Sequence, residues 1–246
     1  MIELTHKTGA RAVVSPEGAF VESWTAADGT ELLFPRRDMA NGKNRGGVPV
    51  CAPIFGPGET VGLNQHGFAR NCTWTVDEHT ESQVKLSLDK PLSQAENLPP
   101  VYAGCAMEIK IELRENGLRE TLTVRNIGVE PCAINPAFHP YFPVTPGDSA
   151  ERAEVIIDGQ KYRPSAAELL ATRKIDSVGA TAVLKTAQGT WTVTGEGLPY
   201  FAVWSESPEA FLCVEPTESG FLTDAPATQL LPNQTKMVAM NIVFAR

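Results

Sequence analysis

Over long stretches of the chain, apolar residues fall at every second position. The clearest stretch is "AMEIKIELRENGLRETLTVRN", residues 106–126. Met107, Ile109, Ile111 and Leu113 alternate with Glu108, Lys110 and Glu112, and Leu118, Leu122 and Val124 then alternate with Arg119, Thr121, Thr123 and Arg125. A period of two on both sides of Asn116-Gly117 predicts an antiparallel hairpin, with Asn-Gly supplying positive φ at the turn. "GAFVESW", "QVKLSL", "AEVII", "TWTV", "YFAVWS", "FLCVE" and "MVAMNIVF" are also expected to be strands, separated at short intervals by Gly, Pro, Asn and Asp. One short helix is expected in "PSAAELLATR", with Pro164 at its start. This pattern predicts an all-β fold, a large antiparallel β-sandwich with sheets extended beyond the usual seven strands.

Composition narrows the partners. With 246 residues and 42% hydrophobic content the chain can build a sizeable core, and no repeat or composition shift marks a linker, so a single domain over 1–246 is expected. The net charge of −8 argues against a broad nucleic-acid surface, although it leaves room for a small arginine pocket around one anion. The first residues, "MIELTHKTGA", do not read as a signal peptide, and no apolar run approaches the ~20 residues a membrane helix needs. Cys51, Cys72, Cys105, Cys132 and Cys213 are scattered with no CxxC pair, which suggests buried free thiols in a reducing cytoplasm.

Few residues are candidates for chemistry. Of the four histidines, His6 and His79 lie in polar settings, whereas His66 sits in "QHGFAR" and His139 in "NPAFHPYF". Each of the latter two has a plain structural reading, His139 as a half-buried core imidazole and His66 as a turn residue before a flexible Gly. Glu215 closes the apolar run "FLCVE"; a carboxylate there needs a salt bridge at the sheet rim or a task as a base of raised pKa. In "RGGVPVCAPIFG", Arg45 precedes two glycines, which let the backbone approach a ligand or form a bulge. Trp204 ends a strand, where it can stack on a sugar or pack in the core. His66, His139 and Glu215 could also form a two-His-one-carboxylate metal set, but no close ligand pair such as His-x-His supports it.

Taken in order, "RGGVPVCAPIFG", "QHGFARNCTW", "FHPYF" and "CVEP" resemble the aldose 1-epimerase (mutarotase) superfamily, most closely its hexose-6-phosphate mutarotase branch, from about residue 10 to the C-terminus. The resemblance implies a galactose mutarotase-like supersandwich that interconverts α and β anomers of a hexose or hexose 6-phosphate. It implies His139 as general acid, Glu215 as general base, His66 orienting the sugar, Arg70 and Arg45 at the entrance and Trp204 as a side wall. The family's mid-chain substrate-binding Asp would correspond to Asp158, although Arg163 is the alternative occupant of that place. The implied partner is a small sugar or sugar phosphate bound by a monomer or homodimer, with no cofactor, metal, nucleic acid or membrane. A carbohydrate-binding module without activity is the competing reading.

Overall fold

The structure, a computed structural model, describes residues 1–89, 91, 98–145, 147–219 and 228–246. Among these residues a nine-stranded sheet runs in the order Gln160–Tyr162, Glu154–Ile157, Thr181–Thr186, Gly189–Glu196, Thr235–Ala245, Gly117–Asn126, Cys105–Arg114, Gln83–Leu88, Thr75–His79. A second sheet runs Arg173–Asp176, Tyr200–Trp204, Phe211–Thr217, Ala137–Phe138, Val50–Cys51, and Tyr141–Pro143 also pairs with Phe211–Thr217. Ile2–Thr5, Arg11–Ser15 and Phe20–Thr25 form a third, three-stranded sheet. The ladders are antiparallel, as the alternating pattern requires. The expected all-β antiparallel architecture is therefore the observed fold, and the predicted strands all appear. Among the described residues no helix is long and apolar enough to cross a membrane.

Burial follows the period of two. Val84, Leu86, Ile109, Ile111, Leu118, Leu122, Val193, Met240 and Ile242 of the large sheet join Phe138, Val203, Leu212 and Val214 of the second sheet in one apolar cluster. A fully buried aliphatic side chain of this kind contributes about 1.5–3 kcal/mol relative to exposure. Trp191 adds a directional tie, its Nε1 donating to Leu32 O at 3.0 Å.

Three details depart from the expected pattern. Gly117 pairs with Arg114 and Leu118 with Leu113, so the hairpin loop is Glu115-Asn116, one residue earlier than predicted. Neither Asn116 nor Gly117 takes a positive φ. Gly117 is needed for close approach instead, since a Cβ there would lie 2.9 Å from Ile242 O on the adjacent strand. The helix is only Ala166–Leu170, and its cap is Ser165 rather than Pro164: Ser165 Oγ accepts from Glu168 N while Glu168 Oε2 accepts from Ser165 N. The third departure is Glu120, which takes an inward position between Leu118 and Leu122 and is fully buried, with neither carboxyl oxygen hydrogen-bonded.

The strand Phe211–Thr217 is buried along its whole length. Leu212 and Val214 face the main core, while Phe211 and Cys213 fall together in one small separate cluster with Phe34 and Tyr141 on the opposite side. Alternation puts Glu215 on that second side, two residues beyond Cys213.

Candidate active site

A cavity of about 230 Å³ opens on that side of the strand. Its lining includes six of the seven residues selected from the sequence: Arg45, His66, Arg70, His139, Trp204 and Glu215.

The "QHGFAR" stretch is a backbone device. His66 has φ 65° and Gly67 has φ 72°, two successive left-handed residues. At Gly67 only hydrogen fits, because a Cβ would meet Ala52 O at 2.3 Å. For His66 this backbone costs on the order of 1 kcal/mol, and two bonds to one residue offset it. His66 N donates to Gly56 O at 2.8 Å, and Gly56 N donates to His66 Nδ1 at 3.0 Å. A ring nitrogen that accepts from an amide carries no proton, so the proton of neutral His66 sits on Nε2. Burial, then the nearby charges of Arg70 and Arg45, lower the His66 pKa to about 3, which keeps the ring neutral. His66 is thus a fixed hydrogen-bond donor. The next turn, Ala69–Asn71, carries Arg70, whose Nη2 donates to Gln65 O at 3.2 Å. Among the described residues no carboxylate lies within ion-pairing distance of Arg70.

His139 lies between Ala137–Phe138 and Tyr141–Pro143, two short strands of the second sheet. Its amide donates to Pro49 O at 3.1 Å, and its ring stacks on Tyr141 with centroids 4.8 Å apart and planes 7° apart. Trp204 meets the ring edge-on at 5.7 Å and His66 does so at 5.6 Å. His139 Nε2 stands 3.4 Å from Glu215 Oε2. Burial raises the Glu215 pKa well above the ordinary carboxylate range, and burial, then His66 and Arg70, hold His139 well below the usual imidazole value. Both directions favour a neutral pair, with one proton resting on Glu215. Such a pair can move a single proton across its 3.4 Å gap, and either group can exchange it with a hydroxyl in the cavity.

Asp158 corrects the expectation drawn from the resemblance. It does not line the cavity. It sits at φ 50° and accepts from Val178 N at 2.6 Å, Ser177 Oγ at 3.1 Å and Gly179 N at 3.1 Å, holding the turn before the Thr181–Thr186 strand. Those three bonds tie its carboxylate to that turn. Arg163 is exposed beside Glu154 at 3.6 Å and is also absent from the lining.

The second carboxylate of the cavity is Glu206, which sequence reasoning missed together with Lys43, Gln65, Tyr141 and Thr172. Glu206 Oε1 accepts from Arg45 Nε at 2.7 Å and Oε2 from Lys43 Nζ at 2.9 Å. Burial pushes its carboxyl up, but the bonds from Arg45 and Lys43 outweigh that and lower its pKa to about 2. The available signal was an acidic residue just past a strand that ends in Trp, in "YFAVWSE". For a metal, the only group of suitable donors among the described residues is His139, Cys213 and Glu215, with ligand atoms within 4.8 Å of one another; His66 is not part of it. All five cysteines are free and buried.

The family model for aldose 1-epimerase matches residues 1–226, and the chain belongs to that family. A putative glucose-6-phosphate 1-epimerase of Escherichia coli strain K12 is 42% identical over 89 residues, 35% of this chain and 30% of that protein. One of Cenchrus ciliaris is 28% identical over 225 residues, 76% of this chain and 64% of that protein, so the chain spans less than two thirds of either relative. Among solved structures, a galactose mutarotase-like protein from Lactobacillus casei superposes with a TM-score of 0.80 at 18% identity, covering 100% of both chains.

Proposed function

We propose that the protein is a mutarotase acting on a hexose or hexose 6-phosphate, with His139 and Glu215 as its proton-transfer pair. The carrying observation is that pair, 3.4 Å apart at the cavity wall. Ring opening needs the C1 hydroxyl to lose a proton and the ring oxygen to gain one. His139 in its protonated form gives a proton to the ring oxygen, the C1–O bond breaks, and Glu215 takes the C1 hydroxyl proton. The pair then stands neutral beside the open aldehyde, the charge state its burial favours. Rotation about C1–C2 presents the other carbonyl face, and the same steps reversed close the ring as the second anomer. Each well-placed group of this kind is worth about 10²–10⁴-fold. His66, donating from Nε2, orients a sugar oxygen, and Trp204 gives the ring an apolar wall.

The phosphorylated sugar is favoured by charge. In a chain of net charge −8, the cavity is lined by Lys43, Arg45 and Arg70. An adjoining cavity of about 180 Å³ is lined by Arg36, Arg45, Arg70, Asn44 and Asn71, with no carboxylate among the described residues of its wall. Arginine forks there suit a phosphate group. The test is anomer exchange of α-glucose, α-galactose and glucose 6-phosphate by polarimetry or exchange NMR, with EDTA-treated protein. Acceleration of any of them supports the reading; exchange at the buffer rate for all three, with a sugar still bound, identifies a carbohydrate-binding module instead.

A further inference from the structure

Among the rim charges of the cavity, Glu206 is the odd member, because it already does to two cations what a substrate anion would do. It sits in the turn that follows the Tyr200–Trp204 strand, and that turn is fixed from within. Ser205 Oγ donates to Phe211 O at 2.8 Å and accepts from Ser207 N at 3.1 Å, while Phe211 N donates to Ser207 O at 3.1 Å. The carboxylate, with its side chain 12% exposed, reaches 161 residues back to Arg45 and 163 residues back to Lys43. These bonds pin the small hairpin Arg37–Asp38 and Asn44–Arg45 at the cavity mouth. Arg45 is held by Glu206 at its Nε edge, by Asn44 O at its Nη1, and by the Trp204 ring, whose centroid is 5.5 Å from Cζ. Among the described residues the Lys43 ammonium is held only by the carboxylate, and the side chain is half exposed. Arg70, across the cavity, faces no carboxylate partner among the described residues.

We propose that Glu206 is a specificity-determining residue, a resident counter-ion that occupies Lys43 and Arg45 and thereby holds the affinity for anionic sugars down while keeping Arg45 oriented. The inference rests on the reading of this cavity as a sugar site. An arriving phosphate group has to share Lys43 and Arg45 with Glu206 or displace it from them, and at close range two anions repel. Removing the negative charge while retaining the shape therefore releases both cations to the ligand. The Gln amide oxygen still accepts from Arg45 Nε, so the guanidinium stays placed.

The experiment is calorimetric titration of the folded full chain with inorganic phosphate, comparing the unmutated protein with Glu206→Gln at low and high salt. The expected result is a Kd for phosphate lowered about fivefold in low salt, with the gain shrinking as salt screens the charges. An unchanged or raised Kd in a variant with native circular dichroism and melting temperature overturns the proposal. If Glu206→Gln does not fold, Glu206→Ala carries the same expected direction and the same refuting result. Anomer exchange on the same preparations separates the two readings. Exchange by the unmutated protein with no phosphate response to Glu206→Gln sinks only the role of Glu206. A phosphate response without exchange of any hexose sinks only the enzymatic reading.

Discussion

Glu120 offers the sharpest test of the physical reasoning, because nothing in its surroundings compensates for it. It lies at an inward position of the Gly117–Asn126 strand, opposite Ile111 on one side and Met240 on the other. It has no exposed surface, and neither carboxyl oxygen has a hydrogen-bond partner. Burial alone raises its pKa well above the ordinary value. The folded chain thus keeps a proton that the unfolded chain releases above about pH 4.3. Between the two pKa values the unfolded state binds fewer protons, so stability falls as pH rises, by about 1.4 kcal/mol for each pH unit. Glu120→Gln keeps the shape and removes the proton, which should abolish this slope. Glu120→Met, of similar volume, also removes unpaired polar atoms whose desolvation costs about 1–3 kcal/mol. For a chain of 246 residues, each 1 kcal/mol moves the melting temperature by about 2–4 °C. The assay is thermal and urea unfolding of the three proteins between pH 5 and pH 8, analysed as differences so that other titrating groups cancel. A Met variant less stable than the unmutated protein at pH 8, or a gap that does not widen with pH, refutes the account.

Other outcomes follow from the cavity. Glu215→Gln and His139→Asn should each lower kcat by at least about 10²-fold in folded protein, measured by exchange NMR. Because Glu215 is raised and His139 lowered, the pair keeps one proton over a wide range; activity should hold through mildly acidic and neutral pH and fall at alkaline pH as that proton leaves. A fall beginning near the ordinary carboxylate pKa would show that the two groups titrate separately. Arg70→Ala should cut kcat/KM for glucose 6-phosphate more than tenfold relative to free glucose, since a charge-assisted bond is worth about 1.5–3 kcal/mol. Asp158→Ala should destabilise the fold by about 1–3 kcal/mol, read by urea unfolding, and leave KM within twofold, because its three bonds serve a turn.

The sandwich was legible because its strands alternate strongly, and Cys105–Arg114 with Gly117–Asn126 shows the pattern at full length. The turn between them was misplaced by one residue because Asn-Gly is the usual signal for positive φ, whereas here glycine serves close packing against Ile242. His66, His139 and Glu215 could be found because unusual residue types stand beside glycine, proline or the end of an apolar run, whereas Arg70 followed from the family resemblance. The pairing of Lys43 with Glu206 could not be found, since it joins a polar hairpin to a turn 163 residues away. Asp158 was assigned by correspondence with a family pattern, and its carboxylate instead braces its own turn, away from the cavity wall. Glu120 escaped notice because a single Glu within an otherwise regular strand looks like one more solvent-facing polar residue.

The strand Phe211–Thr217 pairs with Tyr200–Trp204 on one side and with Tyr141–Pro143 and Ala137 on the other. Since successive residues point to opposite faces, a slip of one residue would turn Glu215 into the core and Val214 into the cavity. Misalignment by a single step would therefore remove the carboxyl from the cavity and bury it among aliphatic groups at once. A chain folded in the wrong register has no half-working form, and the presence of Glu215 beside His139 is itself a report that this ladder closed correctly.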